Sequence, residues 1–202
     1  MIEPILYIIG SYLLGAIPFA IIVCYLFKGV DVRRHGSGNA GATNVYRVAG
    51  PLAALLTTIL DVAKGAVPVL VVRSQVPESE WLQIVCGVAA VLGHLYPVFA
   101  GFKGGKGVNT LFGVLVVLLP VETLICLAVF IIVFALTRIV SLGSILAGVS
   151  LSVIVVIEKY AIGKNVSHLL LSTCLAVTLL ILFTHRENIG RIFTGSERKL
   201  SR

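Results

Sequence analysis

The sequence predicts an all-α integral membrane protein of about seven transmembrane helices, with the N-terminus outside and the C-terminus cytoplasmic. Three observations carry that expectation. First, 58% of the 202 residues are hydrophobic and 12% are charged, at a mean hydropathy of +1.05; a soluble domain carries roughly 25% charged residues. So much apolar surface cannot be hidden in one globular core, which leaves the bilayer as its solvent. Second, apolar runs of spanning length recur along the whole chain. Third, Lys and Arg cluster in alternate connections.

A hydrocarbon core takes about 20 residues of helix, roughly 17 to 25. The expected spans are 4–27, 51–72, 81–100, 105–119, 121–137, 139–157 and 167–184. The first lacks a basic start and a small-residue cleavage site, so it reads as a span and not as a removable signal. The second carries Asp61 and Lys64, three apart and therefore able to pair on one helical face. Ionisable residues inside a span are functional candidates by default, and a buried pair tying this helix to its neighbours is the structural alternative. The third ends with His94 before Tyr96-Pro97, placed to orient the loop that follows. The fourth is short, and Pro120 and Glu122 leave only a tight turn before the fifth. Cys24, Cys86, Cys126 and Cys174 stand singly inside apolar runs and fit no metal spacing, so they read as small packing residues. No repeat, low-complexity tract or linker divides the chain, and residues 1–202 are expected to form a single polytopic membrane domain.

Orientation follows from the basic residues, which favour cytoplasmic connections. With the N-terminus outside, the inner segments hold Lys28, Arg33, Arg34, Arg47, Lys103, Lys106, Arg138, Arg186, Arg191, Arg198, Lys199 and Arg202. The outer segments hold Arg73, Lys159 and Lys164, so the count is twelve against three. The net charge of +7 is mostly this bias. No basic stripe with interleaved aromatics appears, so no nucleic-acid partner is expected.

Gly36 to Gly41 reads GSGNAG and fits the G-x-G-x-x-G dinucleotide fingerprint, with Asp61 twenty residues beyond. That fingerprint has meaning only between a strand and a helix of a βαβ unit. Here apolar spans flank it on both sides and Asp61 falls in the middle of one, so the dinucleotide reading fails. A phosphate-loop match fails too, because Lys106 is followed by Gly107. Glycines that let helices approach closely explain Gly10, Gly15, Gly87, Gly143 and Gly148. They explain SGNAGATN poorly, since Ser37, Asn39, Thr43 and Asn44 lie between a basic loop and Arg47. Backbone N–H groups freed at Gly36 and Gly38, followed by a helix N-terminus, form an anion-binding nest.

A second glycine-rich element, GFKGGKGVNT, sets Lys103 and Lys106 among Gly104, Gly105 and Gly107. A third, HRENIGR, runs from His185 to Arg191 at the inner end of the last span. On the charge-derived orientation all three elements emerge on the cytoplasmic side. The expectation is a shared site for phosphate-bearing ligands, supplied with Arg47, Lys103, Lys106, His185 and Arg186.

With these residues in view, SGNAGATNVYRVAG, GHLYPVFAGFKGGKGVNT and HRENIGRIFTG resemble the three motifs of the bacterial acyl-phosphate:glycerol-3-phosphate acyltransferases, the PlsY family. LDVAKG at Leu60 to Gly65 fits as well. The resemblance covers essentially the whole chain in length, span number and motif order, and it departs at Asn109, where the family has a small apolar residue. It implies a multi-pass enzyme of the bacterial cytoplasmic (inner) membrane with its active site facing the cytoplasm. That enzyme transfers a fatty acyl group from acyl phosphate to glycerol 3-phosphate, giving 1-acylglycerol 3-phosphate and inorganic phosphate, the first acylation of phospholipid synthesis. It implies no cofactor and no metal. Its partners are the two substrates, membrane lipids and the soluble enzyme that makes acyl phosphate.

Carried over by motif, the resemblance implies Ser37, Arg47, Lys106, His185 and Asn188 around the two phosphates and the accepting hydroxyl. Glu187 is the motif's supporting carboxylate, alongside His94, Asp61 and Lys64. The chain lacks the His-x-x-x-x-Asp pair of the other acyltransferase class. The residue chemistry agrees independently. Two phosphate-bearing substrates repel, which calls for several cations at one site, and an acyl phosphate needs no protein nucleophile because its leaving group is already good. No G-x-S-x-G elbow or motif cysteine offers one. The proton acceptor stays open at this stage between His185 and the oxygens of the acyl phosphate itself. Two alternatives from other classes are an organic-phosphate transporter, which needs access from both sides and commonly shows internal repeats, and a scaffold whose loops bind anionic lipid.

Overall fold

The computed structural model describes residues 2–200, and among them every regular element is helical. The chain forms two compact units, Met1–Leu118 and Leu119–Arg202.

The first unit begins with α1 (Ile2–Gly15) and α2 (Phe19–Lys28), which together make one apolar segment of 27 residues. The break between them falls at Pro18, which has no N–H to donate and disfavours helix at the residue before it. A 3₁₀ turn (Val32–Arg34) and a loop lead to α3 (Ala42–Ala49). The long α4 (Pro51–Gln75) follows, started by Pro51 in its first turn, where a missing N–H costs nothing. Then come α5 (Glu80–Leu95), a 3₁₀ turn (Val98–Ala100) and α6 (Val108–Leu118). Small residues set the close contacts, as expected in a membrane. A Cβ on Gly93 would strike the Tyr12 carbonyl of α1 and a Cβ on Gly15 the Ala90 carbonyl of α5. Gly65 and Gly113 stand in the same relation to Thr110 and Val62, locking α4 to α6.

The second unit holds α7 (Pro120–Thr137), α8 (Val140–Ile157) with a π-helical turn (Glu158–Ile162), α9 (His168–Thr184) and α10 (Arg186–Phe193). Ser167 caps α9 by accepting from the Leu170 N–H at 3.0 Å. The chain bends by 61° between α9 and α10. At the other end of the unit, buried Glu122 pairs with Lys164, which also reaches Glu158 at 3.0 Å.

Five helical segments are long and apolar enough to cross a bilayer: Ile2–Lys28, Pro51–Gln75, Glu80–Ala100, Pro120–Thr137 and Val140–Ile162. The bent α9–α10 pair makes a sixth. The segment expected at 105–119 is realised as the 11-residue α6, because Gly101 to Gly107 stay out of helix. The four cysteines are buried and unpaired.

Candidate active site

In the first unit the two glycine-rich motifs become two loops braced against the helix ends around them. Loop 1 (31–41) is organised from below by Asn44, 1% exposed in the first turns of α3. Its amide nitrogen donates to the carbonyls of Val32 (2.9 Å), His35 (2.9 Å) and Asn39 (3.1 Å), and its oxygen accepts from the Ser37 N–H at 2.8 Å. Gly36 and Gly38 take φ of +62° and +75°. A Cβ on Gly36 would also collide with the Asn44 oxygen, so glycine is required there twice over. Asn44 therefore organises the loop from inside, while Ser37 is exposed on it. Val32 and Ala40 sink into an apolar cluster with Val23, Cys24 and Val45, anchoring both ends of the loop.

Asp31 and Arg33, which the sequence showed only as loop charges, form the outer brace. Asp31 accepts from the Arg33 backbone N–H and takes three further bonds from its guanidinium, two of them shared by Nε, at 2.8–3.1 Å. The remaining arm of Arg33 donates to the Ala100 carbonyl at 2.8 Å, tying loop 1 to the start of loop 2. The Arg33 hydrogen bond outweighs burial and holds the Asp31 carboxyl below its ordinary value. An Asp-x-Arg spacing ahead of a glycine-rich stretch was the available signal.

Loop 2 (101–107) lies across the C-terminal end of α5. The Gly104 N–H donates to the Leu95 carbonyl at 3.2 Å and the Gly105 N–H to the His94 carbonyl at 3.3 Å. Side chains do not fit here, since a Cβ on Gly105 would meet the His94 ring nitrogen and the Ala40 carbonyl of loop 1. Lys106 is half-buried and Lys103 exposed; Arg47 is half-buried in the last turn of α3, whose N-terminus no side chain caps.

Beneath loop 2 sits a buried polar cluster. Asp61 and Lys64 pair at 2.8 Å, one turn apart on α4, at 1% and 2% side-chain exposure. His94 stands 3.7 Å from the same Asp61 oxygen and bonds the Thr110 hydroxyl of α6 at 3.1 Å. Lys64 also donates to the Ile17 carbonyl at 2.9 Å, a group that the Pro18 break leaves outside the helical ladder, and lies 5.5 Å above the Phe19 ring. Asp61, Lys64 and His94 thus join four helices under the loop that carries Lys106. A narrow cleft runs from this cluster to Lys103, Gly104 and Gly105.

The third motif belongs to the second unit and is organised within it. His185, 3% exposed, closes α9, and its Nδ1 lies 2.9 Å from the Ile181 carbonyl. A carbonyl only accepts, so Nδ1 carries the proton of that bond, and the neutral ring presents Nε2 as an acceptor. Asn188 is buried on α10 and donates to Glu197 at 2.5 Å. Glu187 is exposed and faces Arg191 at 3.8 Å; the buried carboxylate beside Asn188 is Glu197, which sequence reasoning missed. Its signal was a lone acid in the basic tail after α10. Arg186 is exposed, donating to the Phe183 carbonyl and lying over its ring. Among the described residues no group of three or more His, Cys, Asp and Glu could hold a metal ion.

These features can be set against known proteins. The profile of the family described as glycerol-3-phosphate acyltransferase matches residues 5–195. Glycerol-3-phosphate acyltransferases of Chlorobaculum tepidum and Halalkalibacterium halodurans are 41% and 40% identical, over 96% and 98% of this chain and 95% of each relative. The fold superimposes on a crystal structure described as PlsY (YgiH), an integral membrane glycerol 3-phosphate acyltransferase, in its glycerol 3-phosphate form. The TM-score is 0.90 at 39% identity, covering 98% of this chain and 96% of that one. A lysophosphatidic acid form of the same enzyme gives a TM-score of 0.86. The motifs, the helical membrane fold and these relatives together assign the chain to the glycerol-3-phosphate acyltransferase family.

Proposed function

We propose that the chain transfers a fatty acyl group from acyl phosphate to glycerol 3-phosphate, releasing 1-acylglycerol 3-phosphate and inorganic phosphate. The acceptor and product follow from the forms in which the related enzyme was crystallised. The donor assignment rests on one observation above all: two braced glycine loops carry cations and N–H groups but no cysteine nucleophile, all four cysteines being buried elsewhere in helices. Such loops suit two phosphates and a substrate that brings its own leaving group.

In this reading Arg47 and Lys106 neutralise the phosphates, with N–H groups of Gly36, Gly38, Gly104, Gly105 and Gly107 and the side chains of Ser37, Asn39 and Thr43 completing the cradle. Asn44, and the Asp61–Lys64–His94 cluster, hold the loops in shape. His185 and Asn188 hold glycerol 3-phosphate. The glycerol hydroxyl oxygen attacks the acyl carbonyl carbon, the bond from that carbon to the phosphate oxygen breaks, and the hydroxyl proton passes to the departing phosphate. Holding two reactants in line supplies on the order of 7–11 kcal/mol. Because the Nδ1 proton of His185 is engaged with Ile181, Nε2 can donate to a phosphate only from the imidazolium form.

The same reading makes residues 1–202 one catalytic membrane domain of seven crossings in the bacterial inner membrane, with α6 counted as the fourth. The N-terminus lies outside and the motifs face the cytoplasm, where the soluble enzyme that makes acyl phosphate would deliver it. The deciding experiment is phosphate release from a long-chain acyl phosphate by purified protein, with and without glycerol 3-phosphate. Release that depends on glycerol 3-phosphate and matches lysophosphatidic acid formed is the expected result. Acylation from acyl thioesters but not from acyl phosphate would overturn the donor assignment.

A further inference from the structure

The carboxylate of Glu197 lies outside the residues 5–195 that the family profile matches, in the tail that follows α10. Its side chain is nevertheless only 7% exposed, although Ser196 before it and Arg198 after it differ in being exposed at the surface. Three donors from two helices converge on it. Ser141 at the start of α8 donates to Oε1 at 2.8 Å, Asn188 of α10 donates to the same oxygen at 2.5 Å, and the Arg191 guanidinium donates to Oε2 at 2.7 Å. Burial alone would push this carboxyl up, but the bonds from Arg191, Asn188 and Ser141 outweigh it and hold the group below its ordinary value. A few residues on, the Leu200 N–H donates to the Arg138 carbonyl at 2.9 Å, so the tail is pinned on both sides of the acid.

A tail that needed only to be held down could use apolar contacts. A buried carboxylate is an expensive anchor unless its bonds fix something that must be oriented. The amide of Asn188 is such a group. Its plane can rotate and flip by half a turn with little change in shape, exchanging donor for acceptor. A charged acceptor at 2.5 Å from the amide nitrogen abolishes that freedom, because a flip would set the amide oxygen against a carboxylate.

We propose that Glu197 is a positioning residue for the acyl transfer: it locks the Asn188 amide so that its outer polar atoms face glycerol 3-phosphate in one orientation. Arg191 fixes the other carboxylate oxygen, and Ser141 sets the carboxylate against α8. The inference rests on the reading of Asn188 as a glycerol 3-phosphate ligand.

The test is steady-state kinetics of the full-length protein, reconstituted in lipid nanodiscs, with each substrate varied at saturation of the other. Glu197→Ala should raise KM for glycerol 3-phosphate about tenfold, the effect of one misdirected polar contact, and leave KM for acyl phosphate within about twofold. Glu197→Gln, whose carbonyl can still accept from Asn188, should recover most of the loss and keeps the test usable if the alanine variant does not fold. Arg191→Ala removes the partner of the other oxygen and should shift KM by less than about threefold. Coupling should show in Asn188→Ala/Glu197→Ala being no worse than Asn188→Ala alone. An unchanged KM in Glu197→Ala, additive losses in the double variant, or equal losses of both KM values in Glu197→Ala and Arg191→Ala would each overturn the proposal and reduce Glu197 to a tail anchor. If Asn188→Ala itself left KM for glycerol 3-phosphate unchanged, the ligand reading of Asn188 would fall, and the inference with it.

Discussion

Replacing Asn44 with alanine separates a residue that shapes loop 1 from one that touches substrate. The two amide hydrogens are shared among three carbonyls and the amide oxygen takes the Ser37 N–H, which amounts to three full hydrogen bonds. At about 1 kcal/mol each the loop loses about 3 kcal/mol of local stability, a shift on the order of 10²-fold in its opening equilibrium. Hydrogen–deuterium exchange of the ligand-free protein reads this directly. The peptide covering 31–41 should exchange faster by roughly that factor, with kcat/KM falling by a similar order. Peptides of α4 and α5 should keep their protection, because the Asn44 side chain bonds Val32, His35, Ser37 and Asn39, all within loop 1. Asn44→Asp should do at least as much damage, since a carboxylate accepts from Ser37 but repels the three carbonyls. A variant that lost activity while 31–41 stayed protected would refute the reasoning and make Asn44 a ligand.

Arg47→Ala and Lys106→Ala should each reduce kcat/KM by at least about 2 kcal/mol in free-energy terms, while Lys103→Ala, exposed at its loop, should cost much less. Wild-type kinetics for Lys106→Ala would remove it from the site. His185→Gln keeps a polar ring replacement that can donate but cannot act as a base. Substrate-assisted catalysis predicts a loss mainly in KM for glycerol 3-phosphate, whereas a fall in kcat of about 10²–10⁴ with loss of the acidic limb of the pH profile would make His185 the base. Cysteines placed beside Gly36, Gly104 and Gly195, in a background lacking the native four, should react with an impermeant thiol reagent only from the cytoplasmic side; outside labelling of any would break the topology. Asp31 has its carboxyl held down by Arg33 in the folded protein, so its contribution is present above the ordinary value of about 3.9 and is lost as pH falls through the lower folded one. The difference in melting temperature between the parent and Asp31→Asn should therefore persist at pH 6 and shrink as the pH drops below roughly 4.

The membrane helices were legible because length and apolarity are properties of contiguous residues. The Asp61–Lys64 pair was legible for the same reason, its spacing being one helical turn. What the sequence hid were bonds between residues brought together by loops. Asn44 reads like a polar neighbour of Ser37, and only the backward fold of 32–39 over α3 makes it the loop's internal scaffold. Arg33 counted as one more inner cation until its guanidinium reached Ala100, 67 positions away. Glu197 and Ser141 are 56 positions apart and share no pattern. Hydropathy put the start of the fourth run at 105 because glycines are neutral in such a sum, although loop 2 keeps 101–107 out of helix and α6 starts only at Val108.

That late start has a consequence for how reactants of opposite solubility can meet. At 1.5 Å per residue, the 11 residues of α6 cover about 16 Å, roughly half the ~30 Å thickness of the hydrocarbon layer. A crossing built on α6 therefore puts the backbone of 103–107 on a shelf below the headgroups, at a depth where peptide groups must be bonded by protein. The Gly104 and Gly105 N–H groups meet that demand with the Leu95 and His94 carbonyls, groups that the last turn of α5 would otherwise leave bare. Floor and wall satisfy each other. In the proposed orientation, a lipid chain moving sideways through the leaflet and a sugar phosphate descending from the cytosol would reach this shelf by perpendicular routes, so neither would have to enter the other's phase.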